Sequence, residues 1–365
     1  MLNKKEMWVI ESWKYSIVIL LSLLTIALFA NPSMGAEKVW RMGTSTTGTA
    51  GYVCTIGLSS LVNKYSKNVK LEALPTPGST ASVRMFAKKE CDMAYQSGWG
   101  LSEGYEKIGA FAKQDLARNP YQGLYYASFE IMVMTKANRT DINTYHDMVG
   151  KKVFPELAAW GWHTLFKITM EKMGIYQKIE ARQLDPMQAA DALKMGTVDV
   201  VAGYSTNLGE LSVSWIINID SLLDMKIISP TPEEQKQISA LKLPGVFYGE
   251  TMSYKALTPQ NAENTKKANP KGVWLWGSYQ GWHPGGDMPT EVMYQMFKVW
   301  MEHASEIADV NAYLGYWAKD PIGIQLKAIE SANSIPVHPG VAKYLKEKGL
   351  WKNHWVIGKL DAGVQ

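Results

Sequence analysis

The chain has 365 residues, of which 46% are hydrophobic and 20% charged, and its formal net charge is +4. This apolar content, with 14 Trp and 18 Tyr, is ample for large packed cores and excludes global disorder. A charge so close to balance does not indicate a nucleic-acid partner. The two cysteines, Cys54 and Cys91, are too few for a disulfide scaffold, although an exported chain could form one bridge between them.

Residues 1–36 have the layout of a signal peptide. Three lysines precede an apolar stretch over residues 16–30, and the small residues Gly35 and Ala36 offer a cleavage point. The stretch is shorter than the roughly 20 residues that span a bilayer, and no second run of that length follows. We therefore expect a cleaved signal peptide and a periplasmic mature chain, with an uncleaved anchor as the alternative.

The part after residue 36 begins with a strand, a loop and a helix. Residues 39–42 are typical of a strand, and residues 52–65 have the apolar periodicity of a helix. The segment GTSTTGTAGY, residues 43–52, connects them and is rich in glycines and hydroxyl groups. A loop of this composition before a helix is suited to holding a ligand.

Two later units share one plan, a capped helix, a tight turn and a buried strand followed by a serine. The predicted elements are two helices, residues 79–89 and 186–195, and two strands, residues 92–96 and 198–202. In the second unit Asp185 is the cap and Gly196 ends the helix. The serines that follow the strands are Ser97 and Ser205. We infer two similar lobes.

The alternation of strands and helices predicts an α/β fold with parallel sheets. In open sheets of this kind, ligands bind at the carboxyl ends of strands. Ser97, Ser205 and the segment of residues 43–52 all follow such ends. The sequence therefore predicts a ligand site where these segments meet.

The lobe boundaries are placed where the chain can cross from one lobe to the other. A crossing is predicted near residues 125–130, and a return within residues 230–255, where prolines cluster. The predicted parts are the signal peptide (1–36), lobe 1 (37–128 and 245–365) and lobe 2 (129–244).

The C-terminal part contains a Trp-rich stretch and an amphipathic helix. The stretch KGVWLWGSYQGWHPGGDMP, residues 271–289, is interpreted as a loop. Thr290 is predicted to cap the helix that follows. The apolar residues of this helix recur at the spacing of a core-facing stripe: Met293, Met296, Phe297, Trp300 and Ala304.

The opening loop favours an anion over a nucleotide. It lacks the Gly-Lys-Ser/Thr of a Walker A motif and the glycine spacing of a dinucleotide fingerprint. Gly48 and Gly51 permit close backbone approach, and the N–H groups at the start of the next helix attract anions. The alternative is an ordinary strand-to-helix turn with capping threonines.

Neither catalysis nor a metal site is indicated. The segment GLSEG, residues 100–104, matches the hydrolase pattern Gly-x-Ser-x-Gly at Ser102. That pattern requires the strand to lead directly into the serine, whereas residues 97–100 intervene, so a chance match is favoured. The six histidines include no i, i+4 pair and no cysteine neighbours that would predict zinc. We expect no enzyme activity, no metal and no cofactor.

Two other features leave alternatives open. In AAWGWHT, residues 158–164, Trp160 and Trp162 could form an aromatic wall of a pocket or pack against the opposite lobe. Arg84, on the helix after Ser79, could clamp a carboxylate or stay solvated.

Several segments resemble one family. The segment IPVHPGVAKYLKEKGLW, residues 335–351, closely resembles the C-terminal signature of the TAXI-type solute-binding proteins of tripartite ATP-independent periplasmic (TRAP) transporters. PGSTASVRMF resembles the Gly-Gly-Ser-x-x-Asn segment of that family, and DMVGKKV and TEVMYQMFKVW are similar to two others. The opening loop is similar to the family's Gly-Thr-Gly-Ser-Thr-Gly-Gly-Thr-Tyr-Tyr. Together the resemblance covers most of residues 39–351.

The resemblance implies a monomeric, two-lobed protein of the type II periplasmic binding fold. Such a protein closes on a small anionic solute, commonly glutamate, another amino acid, a keto acid or a dicarboxylate. It delivers this solute to an ion-coupled TRAP permease in the membrane. Carried over by position, the ligand contacts are Thr44, Thr46, Thr47, Gly48, Tyr52, Gly78 and Ser79. Further candidates at the same cleft are Gln96, Ser97, Trp160, Trp162, Thr164 and Ser205.

The sequence departs from the family pattern in both lobes. Four residues of the opening loop differ from the family's: Ser45, Thr49, Ala50 and Gly51. In the second lobe, PELAAWGWHT replaces a loop of small residues and keeps only Thr164. We therefore expect a differently shaped, more apolar solute. The alternatives to transport are a secreted hydrolase and the ligand-binding component of a sensor system.

Overall fold

The computed structural model of the protein describes residues 38–47, 49–114, 116–158 and 160–365. The signal peptide predicted over residues 1–36 lies outside the described residues, and so does Gly48 of the opening loop. Each helix in the described part of the chain is too short or too polar to span a bilayer.

The first part of the chain forms three strand-and-helix units. In chain order these are β1 (Val39–Gly43), α1 (Ala50–Tyr65), β2 (Lys70–Leu74), α2 (Ser79–Ala87), β3 (Met93–Ser97) and α3 (Gly98–Glu106), followed by a 3-10 turn (Gly109–Phe111). The strands and helices predicted in this region are confirmed to within two residues at each end.

The middle of the chain continues the alternation. Its elements are β4 (Leu124–Lys136), β5 (Lys152–Phe154), α4 (Gly161–Lys172), β6 (Glu180–Ala181), α5 (Ala189–Met195), β7 (Val200–Thr206), α6 (Ser214–Leu222), β8 (Met225–Ile228), α7 (Pro232–Ala240) and β9 (Phe247–Thr251). Asp185 accepts a hydrogen bond from the Met187 N–H at 3.0 Å, as a cap should. Gly196 ends α5 in the left-handed conformation, with φ at 75°. The turn at Gly196 is confirmed. The predicted cap is confirmed in part, because Asp185 caps a 3-10 turn (Pro186–Gln188) that precedes α5, and Gln188, the residue before α5, gives it no side-chain cap.

The last part of the chain is mostly helical. It contains α8 (Pro259–Ala268), β10 (Trp274–Pro284), α9 (Thr290–Glu302), α10 (Ala312–Trp317), α11 (Pro321–Ser331) and α12 (Pro339–Glu347). The predicted apolar stripe is buried: four of its residues lie in α9, and Ala304 lies two residues beyond the end of the helix. Pro289, rather than Thr290, occupies the N-cap position, and Thr290 is the first helical residue.

The Trp-rich stretch is a strand, so its interpretation as a loop was wrong. In β10, Gly277 and Gly281 lie against the backbone of β4. A Cβ atom on them would lie 1.9 Å from the Phe129 carbonyl oxygen and 1.8 Å from the Leu124 carbonyl oxygen. The glycines, which indicate turns in the sequence, instead allow two strands to approach closely.

The strands of the described residues form one ten-stranded sheet. Its order is β2-β1-β3-β10-β4-β7-β5-β6, with β8 beside β4 and β9 beside β10. β1 is parallel to β2 and β3, and β5 is parallel to β6 and β7. The long strands β4 and β10 are antiparallel to each other and join the two parallel halves. This order is that of the α/β type II periplasmic binding fold, which confirms the predicted fold class. The predicted lobe boundaries stay a prediction.

The cores follow the two halves of the sheet. The largest cluster joins β1–β3 to α1, α9 and α12. In the other half, alternate residues of β4 face opposite sides, with Met132 and Met134 in one cluster and Ile131 and Val133 in another. That half is therefore packed on both faces of the sheet.

Candidate functional site

A cavity of about 200 Å³ lies beyond the carboxyl ends of β1 and β3. Its lining combines the opening loop, the starts of α2 and α4, and side chains of β4, β7, β10 and α10. The position agrees with the expectation that ligands bind beyond the carboxyl ends of parallel strands.

Four helices begin at this cavity. The residues that precede α1, α2, α3 and α4 all line it: Thr49, Gly78, Ser97 and Trp160. Thr49 and Ser97 cap their helices with a hydroxyl, whereas Gly78 and Trp160 give no side-chain cap to α2 and α4. The first N–H groups of a helix have no partner within the helix and carry the positive end of its dipole. Four such ends therefore make the cavity electropositive.

Hydroxyl groups hold the opening loop in place. Ser45 Oγ and Thr49 Oγ1 lie 2.5 Å apart, and Thr49 Oγ1 donates to the Thr46 carbonyl at 2.7 Å. Gly51 is required here, because a Cβ atom on it would lie 2.6 Å from Ser45 Oγ and 2.7 Å from Tyr95 Oη. The loop is thus a compact turn whose outer residues reach the cavity.

The side chain of Gln96 presents an unused donor to the cavity. Gln96 is 1% exposed, and its Oε1 accepts from the Ser97 N–H at 2.8 Å. Its Nε2 is buried without a hydrogen-bond partner among the described residues. A buried N–H group without a partner costs about 1–3 kcal/mol, so an acceptor on a bound ligand would relieve this cost.

The start of α4 comes close to the start of α2. A Cβ atom on Gly161 would lie 3.6 Å from Ser79 Oγ and 3.9 Å from Gln96 Oε1. Segments from the two halves of the sheet therefore meet at the cavity, with Gly161 keeping the gap between them open.

Aromatic rings form one wall of the cavity. Phe129 stacks on Trp162 with ring centroids 5.4 Å apart and an interplanar angle of 5°. Phe129 also contacts Tyr204 and Tyr313, at 5.4 Å and 6.0 Å between centroids. Such a wall favours a ligand with a planar or apolar body.

The cavity contains no formal charge of its own. Among the described residues that line it there is no Lys, Arg, His, Asp or Glu. Burial raises the pKa of Tyr313 to about 12, and it also raises the pKa of Tyr95 and of Tyr204. These phenols stay neutral at ordinary pH, so recognition here relies on neutral donors and helix ends.

The structure brings together about half of the residues predicted from the sequence. The predicted residues that line the cavity are Thr46, Gly78, Ser79, Gln96, Ser97, Trp160 and Trp162. Gly48 lies outside the described residues. The others that were predicted are elsewhere: Thr44, Thr47, Tyr52, Thr164 and Ser205.

The predicted residues that do not line the cavity have other surroundings. The Thr44 N–H donates to the Leu74 carbonyl at 3.0 Å, beneath the loop. Ser205 lies within β7 (Val200–Thr206) and not beyond the end of the strand, so its predicted position was wrong; it is fully buried and donates to Glu130 at 2.8 Å. Thr47 is exposed.

Tyr52 and Thr164 are likewise displaced from the cavity. Tyr52 lies in the first turn of α1, where its N–H donates to Thr49 Oγ1. Thr164 lies in the first turn of α4, donates to the Gly161 carbonyl at 2.7 Å and lines a neighbouring cavity. Both residues are close in sequence to residues that line the cavity, but their own side chains do not reach it.

Several cavity residues were missed by the sequence prediction. They include three residues of the opening loop that were not among the predicted ligand contacts, Ser45, Thr49 and Gly51, and the aromatic residues Tyr95, Phe129, Tyr204 and Tyr313. For the aromatic residues the sequence carries no local signal, because they come from four distant segments and meet only in the folded chain.

The described residues do not form the serine hydrolase site that the segment of residues 100–104 resembled. Ser102 is 1% exposed inside α3, and its hydroxyl lies 2.6 Å from the Pro244 carbonyl and 2.7 Å from the Trp99 carbonyl. It faces acceptors and not a base. Among the described residues no group of His, Cys, Asp and Glu could hold a metal ion. Cys54 and Cys91 are both buried free thiols, so the optional bridge is not formed.

Comparisons with known proteins place the chain in a family. The sequence profile described as the NMT1-like family matches residues 42–349.

Three of the solved structures that the chain resembles are named as binding proteins. The chain is 14% identical to the periplasmic sulfonate-binding protein SsuA from Methylobacillus flagellatus KT, covering 89% of this chain and 98% of that one, with a TM-score of 0.48. It is 12% identical to the periplasmic aliphatic sulphonate-binding protein SsuA from Escherichia coli, covering 85% of this chain and 83% of that one, with a TM-score of 0.41. It is 15% identical to the probable amino-acid ABC transporter extracellular-binding protein ytmK from Bacillus subtilis, covering 77% of this chain and 97% of that one, with a TM-score of 0.44.

Proposed function

The chain belongs to the NMT1-like family, and we propose that it is an extracytoplasmic solute-binding protein that captures a small organic anion for a membrane transporter. The single observation that carries this proposal is the meeting of four helix N-termini at one cavity without charged side chains. Because none of the described lining residues is charged, the charge of a bound solute meets only neutral donors and the helix ends.

An anion suits these helix ends better than a cation does. The N–H groups at the starts of α2 and α4 have no side-chain cap, and a carboxylate can accept hydrogen bonds from them. Gln96 Nε2 adds a buried donor that lacks a partner. Once the cavity is closed to water, each of these interactions is stronger than it would be in solution.

The aromatic wall narrows the class of solute. Trp162, Phe129 and Tyr204 offer ring faces to an apolar or planar body. A cavity of about 200 Å³ admits a solute of the size of an amino acid, a keto acid or a small aromatic acid. We propose a monocarboxylate or dicarboxylate with such a body, held by its carboxylate at the helix ends.

Capture and release require the two halves of the protein to move. We propose that lobe 1 (37–128 and 245–365) and lobe 2 (129–244) close about the crossing strands β4 and β10, which both lobes share. Closure would narrow the gap between the starts of α4 and α2 and exclude water from the cavity. The resemblance to TAXI-type proteins supports delivery to a TRAP permease from the periplasm.

A binding experiment tests the function. The mature protein is titrated with amino acids, keto acids, dicarboxylates and aromatic acids, and binding is followed by tryptophan fluorescence and calorimetry. We expect one of these carboxylates to bind reversibly without being consumed. Turnover of a bound compound would favour the hydrolase, and absence of binding across all four classes would contradict the proposal.

A matched set of variants tests the site. Ser79→Ala and Gln96→Leu each remove a donor at the cavity, so each should weaken binding by about tenfold. Thr47→Ala is the control, because Thr47 is exposed and does not line the cavity. If Ser79→Ala and Gln96→Leu bound the solute as tightly as the control Thr47→Ala and the wild type do, the solute would not bind in this cavity. A permease gene next to the gene of this protein would support transport over a sensor.

A further inference from the structure

A second, larger cavity adjoins the first one. Its volume is about 630 Å³, and it lies between α2, α3, the 3-10 turn Gly109–Phe111 and α4. Pro77, Gly78 and Trp160 line both cavities, so Trp160 stands at the boundary between them. Unlike the first cavity, this one has charged groups in its lining.

Glu103 of α3 lines the second cavity and is completely buried. Its Oε1 accepts from the Ala110 N–H at 3.2 Å, whereas its Oε2 has no hydrogen-bond partner among the described residues. The nearby Thr164 hydroxyl donates to the Gly161 carbonyl at 2.7 Å, so its proton is already used. One carboxylate oxygen is therefore left for a group that enters the cavity.

The 3-10 turn is shaped around this carboxyl group. Gly109 has φ at 52°, and a Cβ atom on it would lie 1.9 Å from Glu103 Oε1. Burial without a cationic partner is costly for a carboxylate, and desolvation raises the pKa of Glu103 to about 7. A cationic group at Oε2 would offset this cost, and none of the residues that the structure describes supplies one there.

A cation of the chain lies close to Glu103 without pairing with it. Arg84 Nη2 donates to the Ala110 carbonyl at 3.5 Å, and Glu103 accepts from the N–H of the same residue. Arg84 is exposed, and its Nε donates to Gln114 at 3.0 Å, so its guanidinium is fixed toward this turn. The Arg84 guanidinium, which can bind an anion, and the buried carboxyl group of Glu103 thus both contact the backbone of Ala110.

We propose that the second cavity is a separate ligand site for a free α-amino acid, with the ammonium group at Glu103 Oε2 and the carboxylate at Arg84. The zwitterion satisfies the buried carboxyl group and the exposed guanidinium at once. The other titratable or charged groups that line the cavity are His163, Lys167 and Glu171 of α4. The site does not depend on the function proposed for the first cavity, since no residue unique to that cavity takes part.

Binding at this site should release a proton near neutral pH. An ammonium group next to Glu103 favours the carboxylate form, so the pKa of Glu103 falls when the ligand binds. Calorimetry in two buffers with different ionisation enthalpies measures the released proton directly. A ligand that contacted only the rim would release none.

The test uses the mature wild-type protein and two variants in the second cavity, titrated with each protein L-amino acid in turn. Glu103→Gln keeps the shape of the side chain but cannot ionise, and Arg84→Gln removes the guanidinium on an exposed position. We expect both to lower the affinity of the bound amino acid by about tenfold or more, and Glu103→Gln to abolish proton release. Arg182→Gln, which changes an exposed arginine far along the chain, is the control for charge.

Gln96→Leu separates this proposal from the function of the first cavity. If an amino acid binds in the second cavity, Gln96→Leu leaves its affinity and its proton release intact while weakening any solute of the first cavity. Binding that is lost in Gln96→Leu and kept in both Glu103→Gln and Arg84→Gln would overturn the second site and support the first. Failure of every amino acid to bind the wild type would also overturn it.

Discussion

The imidazole of His283 joins the backbone of β3 to that of Gly123, the residue that precedes β4. Its Nε2 donates to the Gln96 carbonyl at 2.9 Å, and its Nδ1 accepts from the Gly123 N–H at 3.1 Å. The ring is completely buried, and desolvation lowers its pKa to about 3. This neutral histidine fixes the backbone of Gln96, whose side chain reaches the cavity.

A second buried histidine makes the acid stability of the fold testable. His338 donates through Nε2 to the Met288 carbonyl at 3.0 Å, and burial lowers its pKa to about 4. The folded state binds fewer protons than the unfolded chain, whose histidines titrate near 6.5. The stability from this group is therefore complete above pH of about 6.5 and is lost as the pH falls through about 4.

Replacing His338 by Gln should flatten this dependence, because the variant has no group that must charge on unfolding. Urea denaturation at a series of pH values from neutral to acid measures the slope for both proteins. His354→Gln is the matched control, because His354 is exposed. Equal slopes for wild type and His338→Gln would contradict the assignment of a neutral buried ring.

Glu103 should produce the opposite dependence. Its pKa is raised to about 7, so between the ordinary value of 4.5 and about 7 the folded state binds more protons than the unfolded chain. The stability of the wild type falls as the pH rises through this window. Glu103→Gln should remove that loss, so its advantage over the wild type grows from acid to neutral pH. Denaturation curves of Glu103→Gln and of Glu106→Gln, an exposed control on the same helix, measure the difference.

Close approach of the two crossing strands makes one glycine indispensable. In Gly277→Ala the added Cβ atom would lie 1.9 Å from the Phe129 carbonyl oxygen, which belongs to backbone and cannot swing away. We expect a loss of about 3 kcal/mol or more, because β4 and β10 must separate. Chemical denaturation measures it, and a loss below about 1 kcal/mol would show that the strands pair less closely.

Local features of the sequence predicted the elements, and distant contacts decided the site. Asp185 and Gly196 act within a few residues of their own position, so their cap and turn could be read directly. In the sequence, Gly277 looks like a turn residue. Its actual role is to let β10 approach the Phe129 carbonyl of β4, which the sequence around it does not reveal. The aromatic wall was missed for the same reason, since Tyr204 and Tyr313 reach Phe129 only after the sheet has formed.

Gly161 offers the sharpest test of the cavity without a loss of stability. An added methyl group would lie 3.6 Å from Ser79 Oγ, which is ordinary contact, and it would project into the gap between α4 and α2. Gly161→Ala should therefore keep the melting temperature of the wild type, while the bound carboxylate loses affinity by about tenfold because the methyl group occupies its space. Calorimetry on the two proteins measures the affinities. The control is again Thr47→Ala. A second glycine such as Gly150 is not suitable, because its φ of 74° would strain an alanine there. An unchanged affinity in Gly161→Ala would mean that the solute does not lie between Ser79 and Gln96.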